Sequence, residues 1–332
     1  MATQASQDAY DTDPAAPRRL DRLFVLDQVE VVSSQWLSPT FVRLELGGDC
    51  LAEFGVDGPS YDQRIKLVVP GESGRLPVID GADESWYTTW LDIPAEERGH
   101  MRTYTVREVR GSGTDTRVVV DIAVHGDPPT GPGAAWAAAA RPGDRCVIVG
   151  PRRGVGFGGI EFGPGDAETL LLVADETGVP AVAAILEQLA EVDPDAHGVA
   201  FLEVPVCDDV QLLRAPDGVD VRWLVRKGSP WGAKAIPAVR RHVGLTEQPG
   251  DPADQVTPLP PDEVDVWETP AYSASGEEIG ETLPHHLRCY AWIAGESTVV
   301  RTLRRALVSE LGWERAQVAF MGYWREGVSM RS

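Results

Sequence analysis

Short apolar segments separated by turn residues occupy the chain from about residue 23 to residue 150. Several of them alternate apolar and polar positions and are rich in Val, Ile and Thr, which is typical of half-buried antiparallel strands. Six such strands with few long helices predict a small β-barrel. They cover residues 23–34, 40–48, 64–71, 101–109, 116–126 and 144–151, and an Ala-rich stretch at 131–144 predicts a short helix before the last strand.

From Thr169 onward the pattern changes, because apolar strands now alternate with segments whose apolar positions recur at helical spacing. Alternation of this kind predicts a parallel sheet with helices on its faces. The expected fold is therefore an antiparallel β-barrel followed by a Rossmann-like α/β domain. The predicted strands cover 169–175, 199–205, 219–227, 290–295 and 318–324, and the predicted helices cover 179–192, about 233–242 and 298–311.

The length of 332 residues accommodates two packed domains. We expect a flexible N-terminus at 1–20, a barrel domain at 21–151, an interdomain loop at 152–168 and the α/β domain at 169–332. An acidic, Pro-rich insert at about 245–284 carries ten Asp and Glu residues and no Lys or Arg. One interpretation of the insert is a disordered or loosely held loop. In the other, Trp267 and Tyr272 pin part of it to the body.

Composition and charge exclude several classes of protein. The net charge of −21 disfavours nucleic acid and anionic membranes as partners. No apolar stretch is long enough to span a bilayer, and the first twenty residues lack the apolar block of a secretion signal. The four cysteines form no CxxC pair, which argues against iron–sulfur clusters, structural zinc and a disulfide framework. We therefore predict a soluble, cytoplasmic monomer without a protein-bound metal.

The six residues from Arg102 to Arg107, Arg-Thr-Tyr-Thr-Val-Arg, lie on a predicted barrel strand. A flavin requires a cation for its phosphates, an aromatic face for its ring and a hydroxyl or amide near N5. Because side chains alternate across a strand, Arg102 and Tyr104 share one face while Thr105 points across the pleat. One strand can thus bind both ring and phosphate.

A second group of residues follows about twenty positions later, with Asp121 and His125 ahead of the glycine-opened segment 131–136. A helix that begins with glycines offers unpaired backbone amides and the positive end of its dipole, which suits a pyrophosphate. His125 could contact the same dinucleotide without changing its protonation state.

This combination resembles the siderophore-interacting protein family, the ferric-siderophore reductases of the ferredoxin-reductase superfamily. The likeness runs from about residue 22 to residue 327, apart from the acidic insert, and includes blocks at 62–67, 143–144, 150–152, 174–181, 294–296 and 322–327. Two positions depart from the family pattern: Ala174 stands where glycine is usual, and Ala134 where serine is frequent. The first departure bears on close approach of a dinucleotide to the backbone.

The resemblance implies FAD in the barrel domain and a nicotinamide dinucleotide in the α/β domain. The residues implied for FAD are Arg102, Thr103, Tyr104, Thr105, Asp121, His125, Gly131, Gly133, Ala134, Ala135 and Trp136. Those implied for the nicotinamide dinucleotide are Asp175, Glu176, Thr177, Gly295 and Glu296. For an anionic ferric siderophore, the family analogy points to Lys66, Arg152 and Arg325 as binding cations.

The implied activity is NAD(P)H-dependent reduction of ferric siderophores, with Thr105 stabilising charge on the reduced flavin. One alternative is a flavin or ferredoxin-type reductase with a protein acceptor. Another is a siderophore-binding, iron-release protein without a working nicotinamide site. NADPH is the preferred donor, but NADH stays open, since four cations are candidate partners of a 2′-phosphate: Arg226, Lys227, Arg301 and Arg304.

Overall fold

The computed structural model describes residues 23–79, 85–126, 128–245, 267–269, 272–273 and 288–328. The predicted flexible N-terminus at 1–20 and most of the acidic insert predicted at about 245–284 lie outside these described residues. The described chain folds into two seven-stranded sheets. Among its helices, none has both the length and the apolar character of a membrane crossing.

The first sheet is antiparallel and confirms the predicted barrel strands. Its order is β4-β3-β7-β1-β2-β6-β5. Alternate residues of its strands face one core, which includes Val42, Leu44 and Leu46. The strands are β1 Phe24–Trp36, β2 Phe41–Gly47, β3 Arg64–Val69, β4 His100–Thr105, β5 Glu108–Arg110, β6 Arg117–Ala123 and β7 Arg145–Pro151.

The segment predicted as one strand at 101–109 forms two strands, β4 and β5. These lie at opposite edges of the sheet. The chain crosses between the edges at Val106, whose N–H donates to Gln63, and at Arg107, whose N–H donates to Val119. The sheet therefore curls into an incomplete barrel in which β4 has one unpaired edge.

Two helices accompany the barrel, α1 at Trp86–Asp92 and α2 at Pro132–Ala139. The sequence pattern did not predict α1. It did predict α2, although the structure ends that helix earlier because Pro142 cannot continue it. Gly131 precedes α2 with φ of 84°, a conformation that favours glycine, and Ala137 is buried against the barrel core.

The second sheet confirms the α/β domain. Its order is β10-β9-β8-β13-β14-β11-β12, and β8, β9, β10, β13 and β14 run parallel. The strands are β8 Thr169–Ala174, β9 His197–Val204, β10 Gly218–Val225, β11 Trp267–Thr269, β12 Tyr272–Ser273, β13 Cys289–Glu296 and β14 Val318–Trp324. The helices are α3 Val179–Val192, α4 Ala235–His242 and α5 Ser297–Arg304, which a π-helical turn extends at Arg305–Glu310.

Buried polar contacts join the two sheets. The Asp62 carboxylate, next to β3, accepts hydrogen bonds from the Phe162 N–H at 3.0 Å and from the Trp292 indole in β13 at 2.9 Å. Burial raises the pKa of Asp62 to about 6, opposed by these hydrogen bonds. Two further links are the bidentate pair of Arg107 with Glu187 in α3, and Asp209 with Ser38 and Thr40.

Candidate functional site

The unpaired edge of β4 forms one wall of a cleft of about 470 Å³ between the two sheets. An edge strand leaves alternate backbone N–H and C=O groups available to a ligand. Thr103 and Thr105 line the cleft with Arg102 and Tyr104, so the structure brings the first four of the six motif residues to it. The remaining lining residues are Arg64, Lys66, Asp121, Ala123, Thr177, Pro180, Trp267, Gly322, Tyr323 and Trp324.

The two faces of β4 carry different chemistry, as the pleat requires. On one face the Lys66 ammonium donates a 2.6 Å hydrogen bond to the Thr103 hydroxyl. On the other face Arg102 and Tyr104 pack against the first turn of α2. Burial, followed by the charge of Arg64, lowers the pKa of Lys66.

Gly133 lets the Tyr104 ring approach α2. A Cβ placed at Gly133 would lie 2.3 Å from the Tyr104 hydroxyl oxygen and 3.1 Å from Cγ of Arg102, far inside contact distance. The phenol and the guanidinium stem therefore meet the glycine-opened start of a helix, where backbone N–H groups have no helical partner. This arrangement fits the ring and diphosphate of FAD, with Ala134, Ala135 and Trp136 on the same helix.

Asp121 lines the cleft, but its carboxylate is already engaged. Arg43 binds both of its oxygens at 2.7 Å, and Nε of Arg107 lies 3.5 Å away. Because Arg107 also forms the bidentate pair with Glu187, Asp121 belongs to a chain of charges that crosses from the barrel to α3. Its carboxylate therefore already has protein partners on the barrel side of the cleft.

The carboxyl edge of the parallel sheet forms the opposite wall of the cleft, and the buried Asp175 lies at this edge. One oxygen of Asp175 accepts hydrogen bonds from the Thr177 N–H at 2.8 Å and hydroxyl at 2.5 Å. The other accepts from the Glu296 N–H at 2.7 Å and the Trp324 indole at 2.9 Å. Burial, and then the charge of Glu176, raises the pKa of Asp175.

Glu176 is paired with Arg226 inside the protein. The Arg226 guanidinium donates to both carboxylate oxygens at 2.5 and 2.8 Å, and the Trp231 indole donates at 3.0 Å. Burial opposes ionisation, but the Arg226 charge holds the pKa of Glu176 below its ordinary value. Nδ1 of His125 lies 3.4 Å from the same carboxylate, and the His125 ring stacks on Trp324 at 5.8 Å. His125 thus links the barrel to the carboxyl edge of the parallel sheet, and burial lowers its pKa.

The other predicted nucleotide residues meet at this edge. Gly295 has φ of 147°, and a Cβ there would lie 2.6 Å from an Asp175 oxygen. Glu296 caps α5 by accepting hydrogen bonds from the Thr298 and Val299 N–H groups. The methyl group of Ala174, the departure from the family pattern, is buried and faces Gly178 rather than the cleft.

The three predicted substrate cations are not all brought together. Lys66 lines the cleft, whereas Arg152 forms an ion pair with Glu53 outside it. Arg325 follows β14 and approaches Arg301, whose pKa is lowered by burial and then by the neighbouring arginine charges. Only one of the three therefore contributes directly to the lining of the cleft.

Sequence reasoning did not assign Arg64, Trp267 and Tyr323 to the site. A signal existed for Arg64, since it lies two residues before Lys66 on the same strand and so on the same face. Tyr323 lies in a block that resembles the family. The sequence left open whether Trp267 is anchored, and the structure places its indole in the wall of the cleft.

The sequence of both domains matches known families. Residues 30–155 match the model of the siderophore-interacting FAD-binding domain, and residues 167–327 match that of siderophore-interacting protein. A relative of Mycobacterium tuberculosis, an uncharacterized protein, is 34% identical over 307 residues, which are 91% of each chain. The chain belongs to the siderophore-interacting protein family.

Two family relatives carry functional names. The ferric vibriobactin reductase ViuB of Vibrio cholerae is 26% identical over 302 residues, 90% of this chain and 89% of ViuB. The NADPH-dependent ferric-chelate reductase of Escherichia coli is 28% identical over 215 residues, 64% of this chain and 76% of that enzyme.

Solved structures share the fold. A siderophore utilization protein from T. fusca is 29% identical, with a TM-score of 0.64 over 92% of this chain and 95% of that one. The ferredoxin reductase in carbazole 1,9a-dioxygenase, at 16% identity, has a TM-score of 0.53 over 92% of this chain and 70% of its own. The second likeness confirms the predicted ferredoxin-reductase type of fold.

Proposed function

We propose that this protein is an NAD(P)H-dependent ferric-siderophore reductase that uses FAD. One observation carries the proposal: a single cleft is lined by the flavin motif of β4, by two cations of β3 and by Thr177 and Pro180 from the carboxyl edge of the parallel sheet. A donor, a cofactor and an anionic acceptor would meet in such a cleft. The reductase names of the V. cholerae and E. coli relatives support the same activity.

The barrel wall would hold FAD. Arg102 supplies a fixed positive charge for the diphosphate, together with the N–H groups at the start of α2. The Tyr104 ring offers an aromatic face, and the buried Thr105 hydroxyl offers a hydrogen bond to the flavin ring. The contributing residues of the loop and helix are His125, Gly131, Gly133, Ala134, Ala135 and Trp136.

The opposite wall would hold the nicotinamide dinucleotide. Asp175 and Glu296 shape this wall, because their carboxylates are already satisfied by protein donors. Glu176 positions His125 and Trp231 in the same way. Thr177 and the first turn of α3, at Pro180, line the cleft. The nucleotide would therefore bind to a surface whose carboxylates are already held in place by hydrogen bonds within the protein.

The cations of β3 would bind the ferric complex, with Arg152 and Arg325 contributing at longer range. FAD, when bound, supplies the conversion of a two-electron hydride into single-electron transfers to Fe(III). Iron(II) is softer than iron(III) and is held less tightly by hard oxygen donors, so reduction favours its release. The protein's contribution is to hold the donor, the ring and the acceptor in reach of each other.

The test is an anaerobic steady-state assay with the FAD-loaded protein, each nicotinamide nucleotide, a ferric siderophore and a colorimetric Fe(II) trap. We expect Fe(II) to form, and Lys66→Met to slow its formation several-fold while NAD(P)H still bleaches the flavin at the wild-type rate. Bleaching without Fe(II) from any ferric complex would instead indicate a protein acceptor. Fe(III) binding without bleaching by either nucleotide would indicate an iron-release protein.

A further inference from the structure

A small piece of the acidic insert is built into the wall of the cleft. Strand β11 pairs antiparallel with β14, with Trp267 opposite Met321 and Glu268 opposite Phe320. The Trp267 indole lies nearly parallel to the Tyr323 ring, at 6.1 Å between centroids and an angle of 19°. Both rings line the cleft, so β11 forms part of the site instead of lying on the outer surface.

The Trp267 ring holds a cation over the cleft. The Arg64 guanidinium carbon lies 4.3 Å from the centroid of that ring, within the range of a cation–π interaction. On its other side Arg64 pairs with the carboxylate of Glu161. A long arginine side chain is thereby restricted to one position beside Lys66, on the same face of β3.

Part of the hydrogen-bonding capacity of Arg64 is unused within the part of the chain that the structure describes. There its buried Nε has no hydrogen-bond partner. A buried donor without a partner is unfavourable for the fold. Such a donor is typical of a site where a ligand benefits from the orientation of the side chain.

A second contact anchors β11. The Glu268 carboxylate accepts two hydrogen bonds from Arg304 of α5, at 2.7 and 2.9 Å. Thr269, the next residue, is buried. The strand therefore has an attachment on each side of Trp267: the Arg64 and Tyr323 contacts at the cleft, and the ion pair at α5.

We propose that Trp267 is a positioning residue of the acceptor site, which holds Arg64 as a charge-selecting cation for anionic iron(III) chelates. This inference rests on the proposed function and adds a residue pair to it. Arg64 has a position in the cleft that Arg152 lacks, because Arg152 forms its ion pair with Glu53 elsewhere. The insert thus contributes selectivity for the charge of the chelate.

The test measures binding without electron transfer. Isothermal titration of the oxidised, FAD-loaded protein uses two redox-inert gallium(III) complexes: a trianionic tris-catecholate and a cationic trihydroxamate. For Trp267→Ala we expect the Kd of the trianion to rise about fivefold, since a cation–π contact of ~1 kcal/mol is lost. The Kd of the cationic complex should change less than twofold by the same reasoning.

Three further variants separate positioning from a purely structural role. Trp267→Phe keeps an aromatic face and should restore most of the affinity for the trianion. Glu161→Gln removes the carboxylate that competes for Arg64, so it should bind the trianion several-fold more tightly than wild type. Trp36→Ala removes an exposed indole at the end of β1, outside the cleft, and should leave both complexes unchanged.

Equal losses for the two complexes in Trp267→Ala, or no gain in Glu161→Gln, would overturn the inference. The proposed function fails by a different result, namely that no ferric complex reoxidises the NAD(P)H-reduced protein. Gallium binding that responds to Trp267 as predicted, without iron reduction, would retain the positioning role and reject the reductase.

Discussion

The two walls of the cleft use charge in opposite ways. The barrel wall presents Lys66, whose ammonium donates to the Thr103 hydroxyl, and Arg102, whose guanidinium donates to the Met101 carbonyl. The wall from the parallel sheet presents Asp175 and Glu176, whose carboxylates accept hydrogen bonds from other groups of the protein. The positive charges of the barrel wall are therefore available to ligands. The negative charges of the second wall stabilise the structure of that wall.

This difference matches what each ligand requires. A diphosphate and an anionic chelate both need compensating positive charge, which an acidic protein must supply locally. A nicotinamide ring needs correct placement more than charge, because hydride transfer depends on the approach of two rings. Variants in each wall and at the junction of the walls test this difference.

The largest effect on the free energy of unfolding is expected from breaking the buried ion pair of Glu176 and Arg226 in the second wall. Glu176→Ala leaves the Arg226 guanidinium buried without its main partner, and removal of one member of such a pair costs ~3–5 kcal/mol. Denaturant unfolding followed by circular dichroism measures the loss. Asp220→Ala, which breaks the exposed pair with Arg222, should cost less than about 1 kcal/mol. Similar losses in the two variants would show that the pair does not shape the wall.

A slightly smaller effect is expected at the junction of the walls, from the pH dependence of Asp62. Burial raises its pKa to about 6 from an ordinary value of 3.8. A raised pKa means that the fold favours the protonated form, so this contribution to stability is full below about pH 4 and is lost as the pH rises through about 6. A difference of this size corresponds to ~3 kcal/mol.

Urea unfolding of wild type and Asp62→Asn at about pH 4.5 and about pH 7 isolates this contribution, since the variant lacks only the Asp62 titration. The stability advantage of wild type over the variant should shrink as the pH rises. An advantage that grows with pH would contradict the role of burial at this carboxyl.

On the barrel wall, Gly133→Val should weaken FAD binding. The new Cβ would overlap the Tyr104 hydroxyl, and overpacking of ~1–3 kcal/mol corresponds to a Kd raised about 5- to 150-fold. Quenching of flavin fluorescence on binding measures the Kd. Ala139→Val, at the exposed end of α2, adds the same kind of side chain away from Tyr104 and should bind FAD normally. Unchanged binding in Gly133→Val would remove Tyr104 from the cofactor site.

The smallest effect concerns the nucleotide. Two of the candidate 2′-phosphate partners are engaged, Arg226 by Glu176 and Arg304 by Glu268, whereas Lys227 is exposed directly after β10. Lys227→Gln should therefore raise KM for NADPH about fivefold and leave KM for NADH unchanged, as expected for loss of one exposed phosphate contact of ~1 kcal/mol. Equal changes for both nucleotides would argue against a 2′-phosphate contact.

Most of the fold followed from hydrophobic periodicity, because alternation on half-buried strands and helical spacing on α3 and α5 are direct results of burial. The split of 101–109 into β4 and β5 did not follow, since the crossing at Val106 and Arg107 depends on hydrogen bonds to Gln63, next to β3, and to Val119 in β6. The same limit applies to α1, whose position is set by packing against the outer face of the barrel.

The site was predicted where one strand carries several groups, as with Arg102, Tyr104 and Thr105. Pairing was the part that the sequence could not predict. The local sequence does not indicate that Asp121 forms an ion pair with Arg43, or that Arg152 forms one with Glu53, because those partners come from other strands and turns. Whether a polar residue serves a ligand or another residue depends on its neighbours in space.

The central claim is that one cleft joins the nicotinamide donor, FAD and the ferric acceptor. Anaerobic stopped-flow spectroscopy of the FAD-loaded protein tests it most directly, with NADPH or NADH mixed first and a ferric siderophore second. We predict that flavin absorbance falls in the first step and returns in the second as Fe(II) is trapped. A protein that fails to bind FAD, or whose flavin absorbance is unchanged by both nucleotides, would contradict the account.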